Sequence, residues 1–162
     1  MKKTFIIATL CLILDQVVKN ILLNIMMIGE SKAIIKNFFN ITLVQNDGDA
    51  FSTFRSNTLL LIIISLVMLI GIIIYIIKNK NIKKEEYILY GILMGGIAGN
   101  LIDRVIYQSV TDFLDFNIFG YPFPIFNIAD ICIVISMFGL ALIAFKEEKR
   151  GNKSRWKWNK TR

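Results

Sequence analysis

Acidic side chains cluster in one part of a chain that is otherwise strongly apolar. Apolar residues make up 55% of the 162 residues, and only 12 residues are acidic. Because a carboxylate in an apolar environment carries a large desolvation cost, acids placed there are typical of a functional or an anchoring role. Four of them lie within 99–130, with long uncharged stretches on both sides: Asp103, Asp112, Asp115 and Asp130.

Asp112 and Asp130 are the pair best suited to chemistry. Two carboxyl groups that lie close together in a site of low dielectric cannot both ionise cheaply, so they share a proton and titrate together. The charged member can then take a proton from water while the neutral member donates to a carbonyl oxygen, as in aspartic proteases. This chemistry requires no cofactor, metal ion or covalent intermediate. The chain has no histidine, which excludes a Ser-His-Asp triad and an HExxH zinc site.

The residues alone leave other interpretations open. The acids could be structural, since Asn127 and Asp130 lie near a predicted helix start and can act as caps. Asp103 is predicted to anchor the end of its helix together with Arg104. The acids could instead relay protons or ions in a transporter subunit. A transporter predicts acids at several depths or repeated broken helices, whereas Asp112 and Asp130 are expected at one level and no repeat is visible.

Four apolar segments must position these residues. They predict an all-α membrane protein with four transmembrane helices, forming a single integral membrane domain over 1–162. The second segment is uncharged throughout and, at about 1.5 Å per residue, is long enough to cross a hydrocarbon core of about 30 Å. The predicted spans are about 4–28, 56–77, 87–104 and 128–145.

Lysine and arginine residues indicate the orientation of these helices. They are concentrated at the N-terminus, between the second and third spans, and in the tail 146–162. Because cytoplasmic segments are enriched in basic residues, both termini are predicted to be cytoplasmic. Asp103 and Asp130 then lie about 15 to 16 residues from the cytoplasmic ends of their helices, just beneath the outer boundary. The site is therefore predicted near the extracytoplasmic face.

The positive charge predicts contact with lipid rather than with nucleic acid. The formal net charge is +7, but the basic residues flank the predicted spans and no soluble body is present to hold a basic groove. The tail, which contains Trp156 and Trp158, could contact anionic lipid headgroups. The composition favours the alternative, a solvated cytoplasmic tail without a fixed structure.

The two connections predicted to face outward supply the remaining structure. Residues 38–45 are rich in β-forming types, and the following Asn46-Asp47-Gly48-Asp49 suits a turn. We predict a small extracytoplasmic β-element, a cradle, between spans one and two, which returns through 50–54. The second connection contains Pro122 and Pro124, which end any helix before the fourth span.

Polar residues at helical spacing direct the third and fourth spans toward a shared site. Asn100 and Arg104 are four residues apart, so they share one helix face. Asn127 and Asp130 are three residues apart and do the same. The third and fourth spans therefore each turn a polar edge toward this site.

The first span carries its own charged pair. Asp15 and Lys19 are four residues apart and are predicted to form an intramembrane ion pair rather than to act in catalysis. In the third span, Gly95, Gly96 and Gly99 predict close helix packing rather than a phosphate-binding loop.

Five ordered sequence blocks resemble lipoprotein signal peptidase, also called signal peptidase II, a family of intramembrane aspartic peptidases in bacteria. The resemblance extends from residue 15 to residue 130, and the layout of four spans with both ends inside is also that of the family. The blocks are Asp15-Gln16-Val17-Val18-Lys19, Asn46-Asp47-Gly48-Asp49-Ala50-Phe51, Gly99-Asn100-Leu101-Ile102-Asp103-Arg104, Val110-Thr111-Asp112-Phe113 and Phe126-Asn127-Ile128-Ala129-Asp130.

The resemblance implies an endopeptidase that removes signal peptides from prolipoproteins, cutting before a cysteine that already carries diacylglycerol. It implies that Asp112 and Asp130 are the catalytic dyad. It implies that three residues hold the substrate backbone or support the dyad: Asn100, Arg104 and Asn127. The residues implied to brace the outer loops and helix ends are Asp15, Lys19, Asn46, Gly48 and Asp103.

The resemblance also implies partners and a location. These are diacylglyceryl-modified prolipoproteins, the lipid of the bacterial cell membrane, and the cyclic peptide antibiotic globomycin as an inhibitor; we expect a monomer without cofactors. One position departs from the family, because Asp49 stands where a small residue is usual. If Asp47 and Asp49 face the cleft, they raise the proton affinity of the dyad and disfavour acidic substrate groups, and if they face water they do neither.

Overall fold

The chain forms four long helices and a small antiparallel sheet, described over residues 2–48, 58–79 and 81–160 of a computed structural model. The helices are α1 (Lys2–Ile25), α2 (Thr58–Lys78), α3 (Lys84–Tyr107) and α4 (Ile128–Lys160). The strands are β1 (Ser31–Ile35), β2 (Phe39–Asn46), β3 (Val110–Ile118) and β4 (Tyr121–Pro122). Each helix is long and apolar enough to cross a membrane. The predicted fold class, four potential transmembrane helices with a small β-element, is confirmed.

Helix α3 lies at the centre of the bundle. In the most apolar part of α3, 56% of the residues are buried inside the protein, whereas in the corresponding part of α2 only 6% are. A Cβ atom at Gly95 would lie 2.6 Å from the backbone oxygen of Ala8 in α1, and one at Gly96 would lie 2.5 Å from that of Ala129 in α4. Because these distances are shorter than a normal carbon–oxygen contact, α1 and α4 can approach α3 this closely only where it lacks side chains. The predicted packing role of these glycines is confirmed.

The connection between α1 and α2 and the connection between α3 and α4 both contribute to the sheet, which has the strand order β1-β2-β3-β4. Strand β2 pairs antiparallel with β1 and with β3, and this second pairing places Val44 opposite Asp112. The predicted β-element is therefore present as β2. One of the two strands that pair with β2 is β3, which lies in the second connection, where no strand was predicted. The predicted return through 50–54 lies outside the described residues.

The sheet packs against the end of α1 through a small apolar cluster. Leu22 of α1 and Met26, which directly follows α1, contact Leu43 of β2 and Phe113 of β3, and all four side chains are buried. Because Phe113 is anchored in this cluster, the adjacent Asp112 is held at the boundary between the sheet and the helices.

Asp115, which had no predicted role, stabilises the sheet. Its Oδ2 atom accepts hydrogen bonds from the Thr42 hydroxyl at 2.6 Å and from the Asn40 amide at 3.3 Å. Both donors lie on β2, so Asp115 fastens β3 to its neighbour. At the other end of the fold, α4 continues to Lys160, so the backbone of the tail is helical up to that residue.

Candidate active site

Buried polar residues gather where α1, α3 and the start of α4 meet the sheet. A polar group without water must find hydrogen-bond partners within the protein, so each side chain there has a constrained orientation. Seven of them are no more than 6% exposed: Asp15, Lys19, Asn100, Asp103, Thr111, Asp112 and Asn127.

Asp112 lies on β3, and both of its carboxylate oxygens accept a hydrogen bond. Asn46 donates to Oδ2 at 2.8 Å and Asn127 donates to Oδ1 at 2.7 Å. Burial raises the pKa of Asp112 to about 6, and the nearby charge of Asp130 also raises it. The hydrogen bonds from Asn46 and Asn127 lower it. A carboxyl group that changes protonation near neutral pH is suited to acid–base catalysis.

The turn after β2 sets the direction of the Asn46 amide. The backbone N–H of Gly48 donates to Asn46 Oδ1 at 3.0 Å, which leaves the Asn46 NH2 group to donate to Asp112. Gly48 has φ = 102°, a backbone conformation that favours glycine. Asn46 and Gly48 therefore act together on one oxygen of Asp112.

Asp130 lies in the first turn of α4 and forms a reciprocal cap with Asn127. The Asn127 N–H donates to Asp130 Oδ2 at 3.2 Å, and the Asp130 N–H donates to Asn127 Oδ1 at 2.9 Å. This exchange satisfies two backbone donors at the helix start. The other oxygen, Oδ1, accepts a hydrogen bond of 2.7 Å from Asn100, so the capping residue also belongs to the polar network.

Two amide side chains connect the carboxyl groups of Asp112 and Asp130. The Asn127 NH2 group donates to Asp112 Oδ1 and also lies 3.0 Å from Asn100 Oδ1. Asn100 in turn donates to Asp130. The structure thus brings together Asp112, Asp130, Asn100 and Asn127 through a continuous set of hydrogen bonds.

Lys19 determines which way the Asn100 amide faces. Its ammonium group donates to Asn100 Oδ1 at 3.1 Å. Because an ammonium group can only donate, the Asn100 oxygen must face Lys19 and the NH2 group must face Asp130. Lys19 also forms salt bridges of 2.8 Å with Asp15 and 2.9 Å with Asp103. The expected pair of Asp15 and Lys19 is therefore present, with a third charged member.

Asp103 anchors the end of α3 to neighbouring elements, through partners other than Arg104. Asp103 binds Lys19, accepts a hydrogen bond of 2.8 Å from Gln16, and accepts one of 2.9 Å from the backbone N–H of Thr111. Successive residues of an α-helix are rotated by about 100°, so neighbours such as Asp103 and Arg104 face different surroundings. Asp103 therefore anchors the start of β3 to α1 and α3.

Arg104 lies near the carboxyl pair and near Asp103. Its guanidinium is half-buried and lies within 3.4 Å of the backbone oxygen of Asn100. The carboxylates of Asp130, Asp112 and Asp103 are all close enough to act on its charge. Gln16 and Thr111 also belong to this polar network, although no role was predicted for either. Both lie inside the five sequence blocks, and their position beside charged residues was the signal that could have identified them.

A separate cavity borders each carboxyl group. Asp112 lines a cavity of about 330 Å³ with a mixed wall, to which Asn46 and Asp47 contribute polar groups and Val44, Pro124 and Ile125 apolar ones. We call it the polar cavity because, unlike the second cavity, it has several polar side chains. Asp130 lines a groove of about 310 Å³ whose walls are otherwise apolar. The apolar walls are formed by Phe123, Phe126, Ile131, Val134 and Ile135. A substrate with one polar part and one apolar part could therefore reach both carboxyl groups.

The exposed Asp47 lies at the edge of the polar cavity, whereas Asp49 lies outside the described residues. No three acidic or cysteine side chains in the described part of the chain are close enough together to hold a metal ion. Four apolar helices, with two linked carboxyl groups at one end beneath a sheet, define an integral membrane protein with a buried acidic site.

The chain belongs to the signal peptidase II family, because the family described as Signal peptidase (SPase) II matches residues 7–146. It is 38% identical over 144 residues to the lipoprotein signal peptidase of Staphylococcus haemolyticus (strain JCSC1435), covering 89% of this chain and 91% of that protein. It is 37% identical over 152 residues to that of Staphylococcus aureus (strain MRSA252), covering 94% and 93%. Family membership makes it a signal peptidase, and therefore a protease.

Two solved structures share the fold. A bacterial membrane enzyme determined by the in meso method at 2.3 Å has a TM-score of 0.85 and 35% identity, covering 93% of this chain and 92% of that chain. A second such enzyme, determined at 1.9 Å, has a TM-score of 0.82 and 36% identity, covering 90% and 94%. The arrangement of helices and sheet is thus that of known membrane enzymes.

Proposed function

We propose that this protein removes signal peptides from prolipoproteins with Asp112 and Asp130 as an aspartic dyad, cutting before a cysteine that carries diacylglycerol. The observation that carries the proposal is the hydrogen-bond path from Asp112 through Asn127 and Asn100 to Asp130, with contacts of 2.7, 3.0 and 2.7 Å. The names of the relatives, lipoprotein signal peptidases, support the substrate class.

The two carboxyl groups lie in different surroundings. Asp112 holds the shared proton, since burial raises its pKa to about 6. The negative charge of Asp130 is stabilised by Arg104 and by the N-terminus of α4. Asp130 is therefore the base and Asp112 the acid.

The reaction then follows from this assignment. Asp130 takes a proton from water as the water oxygen bonds to the scissile carbonyl carbon, and Asp112 donates its proton to the carbonyl oxygen. When the tetrahedral intermediate collapses, the C–N bond breaks and the proton on Asp130 passes to the leaving amine. The hydroxyl proton returns to Asp112 as the new carboxyl group forms.

The two cavities suit the two parts of a lipidated substrate. The polar cavity beside Asp112 can accept the peptide backbone, and the apolar groove beside Asp130 can accept acyl chains. The amides of Asn100 and Asn127 are engaged with the dyad and support it. Arg104 uses only part of its five-donor guanidinium on the described residues, so it can also donate to a substrate carbonyl.

We propose that both termini are cytoplasmic and that the dyad lies near the extracytoplasmic face of the cell membrane. In support, the lysine-rich start of α3 and the dyad lie at opposite ends of that helix. Apart from Thr4 and Ser136, the buried polar side chains of the described residues lie around the dyad. Relay of ions across the membrane would need polar groups along the whole path, so this distribution supports a peptidase.

Cleavage assays with matched substrates test the proposed substrate class. We expect the purified protein to cut a prolipoprotein that carries diacylglycerol at least about 100-fold faster than the same chain with only an S-methyl group. The reason is that binding energy from remote parts of a substrate is used to lower the barrier at the reacting bond. Globomycin should inhibit the reaction. Equal rates with both substrates would refute the requirement for diacylglycerol.

The pH dependence of cleavage tests the assignment of Asp112 as the acid. Activity should fall as the pH rises through the pKa of Asp112, because the proton is then lost. The hydrogen bond from Asn46 favours the carboxylate form, so Asn46→Ala should raise this pKa above its value of about 6. We expect the alkaline limb of kcat/KM to move upward by about one pH unit, the equivalent of one hydrogen bond.

Asn40→Ala is the matched control for this measurement. Its amide donates to Asp115 at 3.3 Å and not to the dyad, so the alkaline limb should stay in place. An unchanged or lowered limb in Asn46→Ala would contradict the assignment.

A further inference from the structure

A large cavity lies at the end of the bundle opposite to the dyad. Its volume is about 680 Å³, twice that of the cavity beside Asp112. Three lysines line it, Lys2, Lys3 and Lys84, and its apolar wall includes Ile7, Ile82 and Tyr87. We call it the lysine-rimmed cavity.

The helix directions place two helix N-termini at this cavity. Gly91 of α3 lies beside Thr4 of α1, and Gly99 lies beside Asp15, so the two helices run parallel. Lys2 begins α1 and Lys84 begins α3. Because a helix N-terminus carries a partial positive charge, both helix dipoles add to the charge of the lysines.

The acidic residues described at this end form no salt bridge with Lys2, Lys3 or Lys84. Glu86 accepts a hydrogen bond of 2.7 Å from the Lys83 backbone N–H, and Glu147 forms a salt bridge with the Lys83 side chain. Glu85 is exposed in the first turn of α3. The salt bridges formed among the described residues do not include Lys2, Lys3 or Lys84.

We propose that the lysine-rimmed cavity binds an anionic phospholipid of the membrane in which the helices lie. Its phosphate would lie among the three lysines, and the first methylene groups of its acyl chains would contact Ile7 and Ile82. A basic rim beside an apolar wall is the arrangement with which membrane proteins hold anionic headgroups. A zwitterionic lipid brings an ammonium group that the lysines repel, and free phosphate has no chains for the apolar wall.

Lipid titration of the delipidated protein, followed by native mass spectrometry, tests this proposal. The probes are phosphatidylglycerol, phosphatidylcholine with the same acyl chains, and glycerophosphate. We expect one phosphatidylglycerol to bind at least about tenfold more tightly than phosphatidylcholine, and glycerophosphate to bind far more weakly than either. Since each lysine near an anionic surface contributes about fivefold, the triple variant Lys2→Gln/Lys3→Gln/Lys84→Gln should lose about 100-fold in affinity for phosphatidylglycerol.

Two further variants keep the result interpretable. The control Lys32→Gln/Lys36→Gln changes exposed lysines of the β1 region, away from the cavity, and should bind phosphatidylglycerol like the wild type. Lys84→Gln alone retains the N-terminal lysines that guide membrane insertion and should lose about fivefold. If the triple variant and Lys84→Gln both bind like the wild type, or if the two phospholipids bind equally, the proposal is wrong. Binding of glycerophosphate as tight as that of the lipid would show a phosphate site instead.

This inference is independent of the proposed peptidase mechanism. In phosphatidylcholine, the triple variant should cut a lipidated prolipoprotein at the wild-type rate, because the lysine-rimmed cavity lies at the other end of α3 from Asn100 and the dyad. Loss of lipid binding with normal cleavage supports the cavity assignment. Normal lipid binding in a protein that does not cleave would count against the peptidase proposal alone.

Discussion

Asp112→Asn and Asp130→Asn are each expected to lower kcat for cleavage of a diacylglyceryl-modified prolipoprotein by at least about 1,000-fold. An amide can neither take a proton from water nor share one with its neighbour. Asp112→Asn therefore removes the proposed acid and leaves the base, whereas Asp130→Asn removes the proposed base and leaves the acid. Rates are measured on purified protein with a saturating lipidated substrate.

The expected loss reflects chemistry rather than unfolding, since the amide variants keep most contacts. In Asp112→Asn, the new oxygen can accept from Asn46 or from Asn127, and the new NH2 group then faces the other donor. This unfavourable contact is offset in part because a buried ionisable group is replaced by a neutral one. Thermal unfolding in detergent should therefore show a folded protein for both variants.

Asp115→Asn is the matched control for the dyad variants. Asp115 lies on the same strand, three residues from Asp112, and its hydrogen bonds go to Thr42 and Asn40 of β2. We expect it to cleave at a rate close to that of the wild type. Wild-type cleavage by a folded Asp112→Asn or Asp130→Asn protein would show that the dyad assignment is wrong.

Lys19→Met should destabilise the protein by about 3–5 kcal/mol, the usual cost of removing one partner from a buried ion pair. Lys19 is 1% exposed and forms salt bridges with Asp15 and Asp103, which are equally buried. Without the ammonium group, two carboxylates would remain close together with no counter-ion. Unfolding in detergent, followed by circular dichroism, measures the change in free energy.

Lys32→Met provides the control for Lys19→Met. Lys32 also forms a salt bridge, with Glu30 at 3.1 Å, but its side chain is 52% exposed. An exposed pair contributes about 1 kcal/mol or less, so the change should be small. Adding Asp103→Asn to Lys19→Met removes one of the uncompensated charges and should recover part of the lost stability. Equal effects of the two lysine substitutions would contradict this account of the network.

The sequence predicted four long helices because each contains a long, mainly apolar run. It did not reveal β3, because Asp112 and Asp115 interrupt the apolar pattern of residues 110–118. The structure explains both acids through partners on β2, the Asn46 amide for Asp112 and the Thr42 hydroxyl for Asp115. Such pairings depend on strand register, which local composition does not specify.

The buried network shows a second limit of sequence interpretation. The spacing of Asp15 and Lys19 predicted their ion pair, but the further partners of Lys19 are Asn100 and Asp103, more than 80 residues away along the chain. The sequence therefore predicted an anchoring role for Asp103 but not its partner Lys19. For Asp130, the sequence left helix capping and participation in the site as alternatives. In the structure, its Oδ2 atom caps α4 and its Oδ1 atom accepts from Asn100 in the polar network.

The ion pair within α1 has a consequence for the biogenesis of the protein. During synthesis α1 emerges first, whereas the backbone N–H of Ala129 that binds Asp15 emerges 114 residues later. The 2.8 Å contact between Lys19 and Asp15 lets the two charges compensate each other within one helix. The cost of placing α1 in the bilayer before α3 and α4 are made is therefore reduced. The carboxyl pair is complete only when Asp130 arrives with α4, so the proposed dyad cannot assemble in the newborn chain before that helix is in place.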